Sequence, residues 1–179
     1  MNIGFDLDGI FIDKLLFVPR FIVEGLYRKH NTNKLAYRYP SKIEQAIRKI
    51  SHRSIFRPAF KENIAFLDKL ARNNNHKRYL ISGRFGFIKK ETEDILRKYK
   101  ITQHFDKKFL NSDNHQPHNF KNNIIKKYNI HIHVDDDLPL LEFLAKKNPQ
   151  AKFFWLNRKS RSRISKNLFA IKNLSEMFK

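Results

Sequence analysis

The sequence contains no cysteine. Disulfides, thiol catalysis and cysteine-ligated zinc are thereby excluded. No run of eighteen uninterrupted apolar residues occurs, so no membrane-spanning helix is expected. The opening residues lack the pattern of a secretory leader, because a short strand carrying two Asp begins at once. A soluble, cytoplasmic protein is the expectation. Internal repeats and low-complexity tracts are absent. Acidic residues are scarce: 17 Asp and Glu stand against 37 Lys and Arg, a formal net charge of +20. Such a surplus suits polyanionic partners, namely nucleic acid, an anionic membrane surface or phosphorylated ligands. It also fits a plain compositional bias, since no stretch is a pure Lys/Arg block. The 179 residues suit one domain with a small insert, enough for a core without metal or disulfide staples.

What is present is an alternation of strands and helices. The first strand, residues 2–8, ends in Phe5-Asp6-Leu7-Asp8-Gly9. From 11 to 30, Leu15, Val18, Ile22 and Leu26 recur at helical spacing. A second helix is predicted from Ser41, with Glu44 three residues on as a capping box, to about Ser51. Residues 11–58 hold eleven Lys/Arg against three acids, a net of 11 − 3 = +8, and read as a small helical insert. Thereafter the pattern is regular: helix 59–73, strand 78–81, helix 87–100, weak strand 107–110, helix 119–129, strand 131–134, helix 138–147 and strand 152–156. A short closing strand or turn and helix follows, beyond a basic cluster of Arg158, Lys159, Arg161 and Arg163. This is an α/β pattern that predicts a mostly parallel central sheet with helices on both faces, a Rossmann-like three-layer fold.

Three predicted strands end in polar residues: Asp6 and Asp8, then Ser82-Gly83-Arg84, then Asp135-Asp136-Asp137. Lys121 opens the helix before the last of these. In a parallel sheet all such strand ends lie at one edge, where open α/β sheets place their chemistry. Each group alone has an ordinary explanation. An Asp can cap a turn, Ser-Gly can be only a turn, and Lys121 is one of many basic residues. Three consecutive Asp are harder to explain so, because like charges repel unless a cation or a helix N-terminus compensates them. A carboxylate pair can attack phosphorus, hold a divalent cation and move a proton.

Taken in order, these residues resemble the motifs of the haloacid dehalogenase superfamily of aspartate-nucleophile phosphohydrolases, over essentially the whole chain. Ile3-Gly4-Phe5-Asp6-Leu7-Asp8-Gly9 matches the family's first motif. The resemblance implies that Asp6 is the nucleophile and Asp8 the general acid/base. It implies that Ser82 and the Gly83 N–H bind phosphoryl oxygens, and that Lys121, or less well Lys126, supplies the phosphate-binding lysine. Asp135-Asp136 matches the acidic doublet that, with Asp6 and the Asp8 carbonyl, holds magnesium. Residues 11–58 stand where the family carries its small helical cap, leaving 1–10 and 59–179 as the core. The sequence departs from the pattern at Ile10, where Thr or Val is commoner, and at Asn122, where Pro often follows the lysine. Arg84 after Ser-Gly resembles the related deoxyribonucleotidases and is expected to bind substrate.

The leading expectation is thus a Mg2+-dependent phosphomonoester hydrolase acting on a nucleotide or other small phosphometabolite. The alternative is a nucleic-acid-binding or adaptor module using the basic surface, or a phosphatase of polynucleotide ends that joins the two. Docking to an anionic membrane through 15–27 ranks last, because apolar helices of this kind commonly pack into cores or caps. Neither the oligomeric state nor the role of Asp137 follows from the residues.

Overall fold

The structure, a computed structural model, describes residues 1–13, 35–72, 75–157 and 162–178. Among the described residues seven strands form one sheet: β1 (Asn2–Phe5), β2 (Lys77–Ser82), β3 (Lys107–Leu110), β4 (Ile132–Asp135), β5 (Lys152–Leu156), β6 (Ser162–Arg163) and β7 (Leu168–Ile171). Their order is β3-β2-β1-β4-β5-β7-β6. All pairs are parallel except β6–β7 at the edge. The described helices are α1 (Lys42–Ser51), α2 (Lys61–Arg72), α3 (Lys89–Lys98), α4 (Pro117–Lys127) and α5 (Leu138–Lys147).

Side-chain alternation along the strands feeds two cores. Ile3, Phe5, Leu80, Val134 and Phe154 point to one face, where Leu67 and Leu70 of α2 and Ile95 and Leu96 of α3 cover them. Tyr79, Ile81 and Phe153 point to the other, under Ile125 of α4 and Leu140, Leu141 and Leu144 of α5. Strands buried on both faces read as nearly continuous apolar runs, as β2 and β5 do. The chain builds outward from β1 in both directions, β2 and β3 on one side and β4 and β5 on the other. The crevice at such a switch point opens beyond the strands' C-terminal ends.

Local signals acted where the sequence placed them. The Ser41 N–H donates to Glu44 Oε2 at 2.7 Å, and the Glu44 N–H donates to Ser41 Oγ at 3.4 Å, closing the capping box of α1. β3, α5 and β5 lie at their predicted bounds. α4 begins two residues early, at Pro117, since proline suits a first turn that needs no N–H. The helix expected from Phe87 opens with a 3-10 turn, Gly86–Ile88, before α3. β4 extends through Asp135, which pairs with Trp155 of β5. The chain leaves the core and returns to it side by side: the Asp13 N–H donates to Pro58 O at 2.8 Å and the Phe60 N–H to Phe11 O at 2.9 Å. The helix expected over Leu15–Leu26 and the basic residues Arg158, Lys159 and Arg161 lie outside the described residues.

Candidate active site

β1 and β4 run parallel with Phe5 opposite Val134. The next residue on each strand, Asp6 and Asp135, therefore emerges together at the sheet's C-terminal edge. Both are buried. Lys121, in the second turn of α4, is buried against them. Its Nζ donates to Asp6 Oδ1 at 2.6 Å and to Asp135 Oδ2 at 2.6 Å. Lys126, the other lysine considered, is exposed. One carboxylate oxygen each from Asp6, Asp135 and Asp136 completes a cluster whose atoms all lie within 4.8 Å of one another. Gly9 passes close above it with φ +71°, and a Cβ there would overlap the Asp136 carboxylate. Only glycine combines that backbone with that approach.

The charges are unevenly compensated. Burial pushes the Asp6 carboxyl up to about 8, with Lys121 opposing and Asp135 and Asp8 adding repulsion. Burial acts to raise Asp135 too, but Lys121 and His133 outweigh it and hold that carboxyl well below its ordinary value. Lys121 pays a desolvation cost for its charge, yet Asp135 and Asp6 hold it above the usual lysine range. Lys121 is shared between two of the three carboxylates, Asp6 and Asp135. Three hard oxygen donors in mutual repulsion fit a magnesium ion, which prefers carboxylate and water oxygens.

Asp8 has a different environment. Its N–H donates to Asp6 Oδ2 at 3.0 Å. Arg84 grips its carboxylate from two sides, Nε to Oδ2 and Nη2 to Oδ1, both at 2.7 Å. Arg57 Nη1 lies 3.4 Å from Oδ1. Burial would raise this carboxyl, but Arg84 and then Arg57 outweigh it and hold Asp8 as the anion. Arg57 Nη2 donates to His52 Nε2 at 3.0 Å, while His52 Nδ1 faces Arg48 O at 2.8 Å. That pattern assigns the proton to Nδ1. Burial, then Arg84 and Arg57, keep the imidazole neutral.

Ser82 ends β2, buried, and its Oγ accepts from the Arg84 N–H at 3.5 Å. Gly83 backs onto Pro117 and Lys121. Arg84, expected from its place after Ser-Gly to bind substrate, is paired here with Asp8. Arg57, His52, Gln116 and Trp155 are not expected at the site from the amino-acid sequence, and Tyr37 stands out there only as an aromatic among basic residues suited to nucleic acid. The Tyr37 hydroxyl donates to Asp137 Oδ2 at 2.6 Å, and the Trp155 indole donates to Asp136 O at 3.1 Å. Arg57 had one available signal, its position just before Pro58, where the regular strand–helix pattern begins; the others had none for this site, because their partners lie far away in sequence.

No protein-family model matches the sequence, and no curated protein does. Solved structures do resemble it. YfnB from Bacillus subtilis, a HAD-hydrolase bound to magnesium, aligns at TM-score 0.66 and 13% identity over 99% of this chain and 96% of its own. The L-2-haloacid dehalogenase RSc1362 aligns at TM-score 0.64 and 11% identity over 98% and 96%. A HAD family enzyme from Bacteroides thetaiotaomicron, in complex with magnesium and inorganic phosphate, aligns at TM-score 0.59 and 14% identity over 99% and 98%. With its mostly parallel sheet and its acidic residues gathered at the C-terminal edge of β1 and β4, the chain carries the fold of the haloacid dehalogenase superfamily.

Proposed function

We propose that the protein is a magnesium-dependent phosphomonoester hydrolase that forms an aspartyl-phosphate on Asp6. The observation that carries this reading is the meeting of Asp6, Asp135 and Asp136 around Lys121, from stretches of chain far apart in sequence. Asp6, Asp136 and the Asp8 carbonyl would hold Mg2+, with Asp135 behind them. The ion would offset the repulsion between a phosphate dianion and the attacking carboxylate. An Asp6 oxygen bonds to phosphorus as the ester P–O bond breaks, and the departing oxygen takes a proton. Water then cleaves the acyl phosphate and regenerates Asp6. Lys121, Ser82 and the Gly83 N–H steady the phosphoryl oxygens, the main task in this chemistry.

Asp8 is the acid/base residue of this reading. Paired with Arg84 and Arg57 it is a carboxylate, fit to take a proton from water. Delivering one to the leaving group requires Asp8 to part from Arg84 and take up a proton from solvent before the ester bond breaks, and the incoming phosphate is an anion able to draw that arginine away. The presence of Asp8 also favours an ester over a carbon–halogen bond, since a halide leaves without a proton. Residues 11–58 form the cap insert and bring Arg57 and His52 to the site. The substrate is a nucleotide or another small phosphometabolite.

The test is an assay of an aryl phosphate and a phosphometabolite panel, nucleotides first, with and without Mg2+, using a 2-haloacid as the contrasting substrate. Magnesium-dependent phosphate release that disappears in Asp6→Asn is expected. Activity that survives Asp6→Asn, or halide release in place of phosphate release, overturns the proposal.

The net charge of +20 favours a second reading, in which the phosphate lies at a polynucleotide end. The Pnkp1/Rnl/Hen1 RNA repair complex contains a chain that aligns at TM-score 0.53 and 18% identity over 87% of this chain and 42% of its own. That likeness concerns the fold; the charge carries the argument. Comparing 3′- and 5′-phosphorylated oligonucleotides with mononucleotides in the same assay separates the two readings.

A further inference from the structure

Asp137 ends the acidic triplet without joining the Asp6–Asp135–Asp136 cluster. Its surroundings give it a different task. Its N–H, like that of Asp136, donates to Asp135 Oδ1, at 3.1 and 2.9 Å. Its own Oδ1 caps α5 by accepting from the Leu140 N–H at 3.4 Å, and its Oδ2 accepts the Tyr37 hydroxyl at 2.6 Å. Tyr37 is itself held firmly. Its N–H donates to Gln116 Oε1 at 2.8 Å, Gln116 Nε2 donates back to its carbonyl at 3.0 Å, and its ring stacks on His118 at 6.1 Å. Gln116 is the N-cap residue immediately before α4, the helix bearing Lys121.

Resting on the reading that the acidic loop holds a divalent cation, we propose that Tyr37 and Asp137 form a clasp that fixes the Asp136 carboxylate for that cation. Asp135 Oδ1 holds the N–H groups of both Asp136 and Asp137, Trp155 holds the Asp136 carbonyl, the Leu140 N–H holds Asp137 Oδ1, and Tyr37 holds Asp137 Oδ2. Among these, the Tyr37 contact is the one that ties Asp137 to a distant segment, and its loss would loosen the Asp137 side chain and shift Asp136 from where Asp6 and Asp135 meet it. Tyr37 is a positioning residue. It belongs to the segment between the core's first motif and α1, so the clasp joins that segment to the acidic loop and, through Gln116, to the helix of Lys121. Partners of this kind, which orient a ligand without touching the metal, typically govern affinity more than folding.

The chain's one tryptophan, Trp155, supplies a reporter that does not depend on turnover. The experiment titrates Mg2+ into the full chain and follows both Trp155 emission and the heat of binding, for the wild type, Tyr37→Phe, Asp137→Asn and the double variant. Melting temperatures are measured without metal. Tyr37→Phe is expected to bind Mg2+ about tenfold more weakly, with a metal-free melting temperature close to that of the wild type. Asp137→Asn keeps a cap acceptor for α5 and should shift affinity the same way. The double variant should be no weaker than the weaker single variant, because both remove one contact. Wild-type affinity in Tyr37→Phe, or additive losses in the double variant, overturns the clasp alone. A wild-type protein that binds no Mg2+ at millimolar concentration overturns the cation reading, and the clasp with it.

Discussion

Asp6 is the residue whose environment conflicts most with its charge. Its carboxyl is raised first by burial and then by two neighbouring aspartates, while Lys121 gives only partial relief. An acid whose folded pKa exceeds its unfolded value binds more protons in the native state. Its contribution to stability is therefore greatest below the unfolded value near 3.8 and declines as pH rises toward about 8. Asn does not titrate, so metal-free Asp6→Asn should melt above the wild type at pH 8 and near it at pH 4. The gain amounts to about 2–4 °C for each kcal/mol of repulsion relieved. On the proposed function, the same substitution should remove phosphatase activity and abolish stabilisation by Mg2+, which for a bound ion at a hundred times its dissociation constant is about 2.7 kcal/mol. Differential scanning fluorimetry across pH, with and without Mg2+, reads both effects. Gly9→Ala should fail differently. It sets a methyl against the Asp136 carboxylate at a positive φ, costing about 1–2 kcal/mol of stability and weakening Mg2+ binding in a calorimetric titration.

At the scale of elements, the site is an intersection. β1 and β4 deliver Asp6 and Asp135 because they are adjacent and in register, and α4 delivers Lys121 from above. The stretch between α1 and α2 delivers Arg57, and the loop after β2 delivers Arg84 to the same carboxylate. Arg84→Ala leaves Asp8 with Arg57 as its remaining guanidinium partner. About 1–3 kcal/mol of destabilisation is expected in chemical denaturation at pH 7, below the full cost of breaking a buried pair because Asp8 is 26% exposed. α1 depends on its own start. Ser41→Ala removes the side-chain acceptor for the Glu44 N–H and should cost about 1 kcal/mol, leaving Mg2+ affinity unchanged. A matching loss of metal affinity would mean that α1 is coupled to the acidic loop.

At the scale of the whole molecule the positive charge dominates. If polyanions bind this surface, each phosphate contact releases counterions, and affinity falls steeply with salt. A single-stranded oligonucleotide retained at about 50 mM salt should then be lost at about 200 mM, as fluorescence anisotropy would report. Equal, weak retention at both concentrations would assign the charge to composition. Neither result bears on the chemistry at Asp6, which is buried and screened from bulk salt far less than the surface is.

The amino-acid sequence by itself determined the alternation of strands and helices, the N-cap of α1 and the order in which polar residues close the strands. These are local matters: a period of two or of 3.6, a Ser with a Glu three residues on, a Pro in a first turn. It also determined that Asp6 and Asp135 would lie at one sheet edge, because parallel strands end together. Tertiary structure alone decided the rest. Lys121 enters the site and Lys126 does not, because Lys121 shares the buried side of α4 with Ile125, four residues on, while Lys126 is turned to solvent. Arg84 meets Asp8, and Arg57 and Tyr37 reach the site from the stretches flanking α1. Such pairings join residues far apart along the chain through side chains whose direction no spacing encodes, and only packing brings them within 3.5 Å.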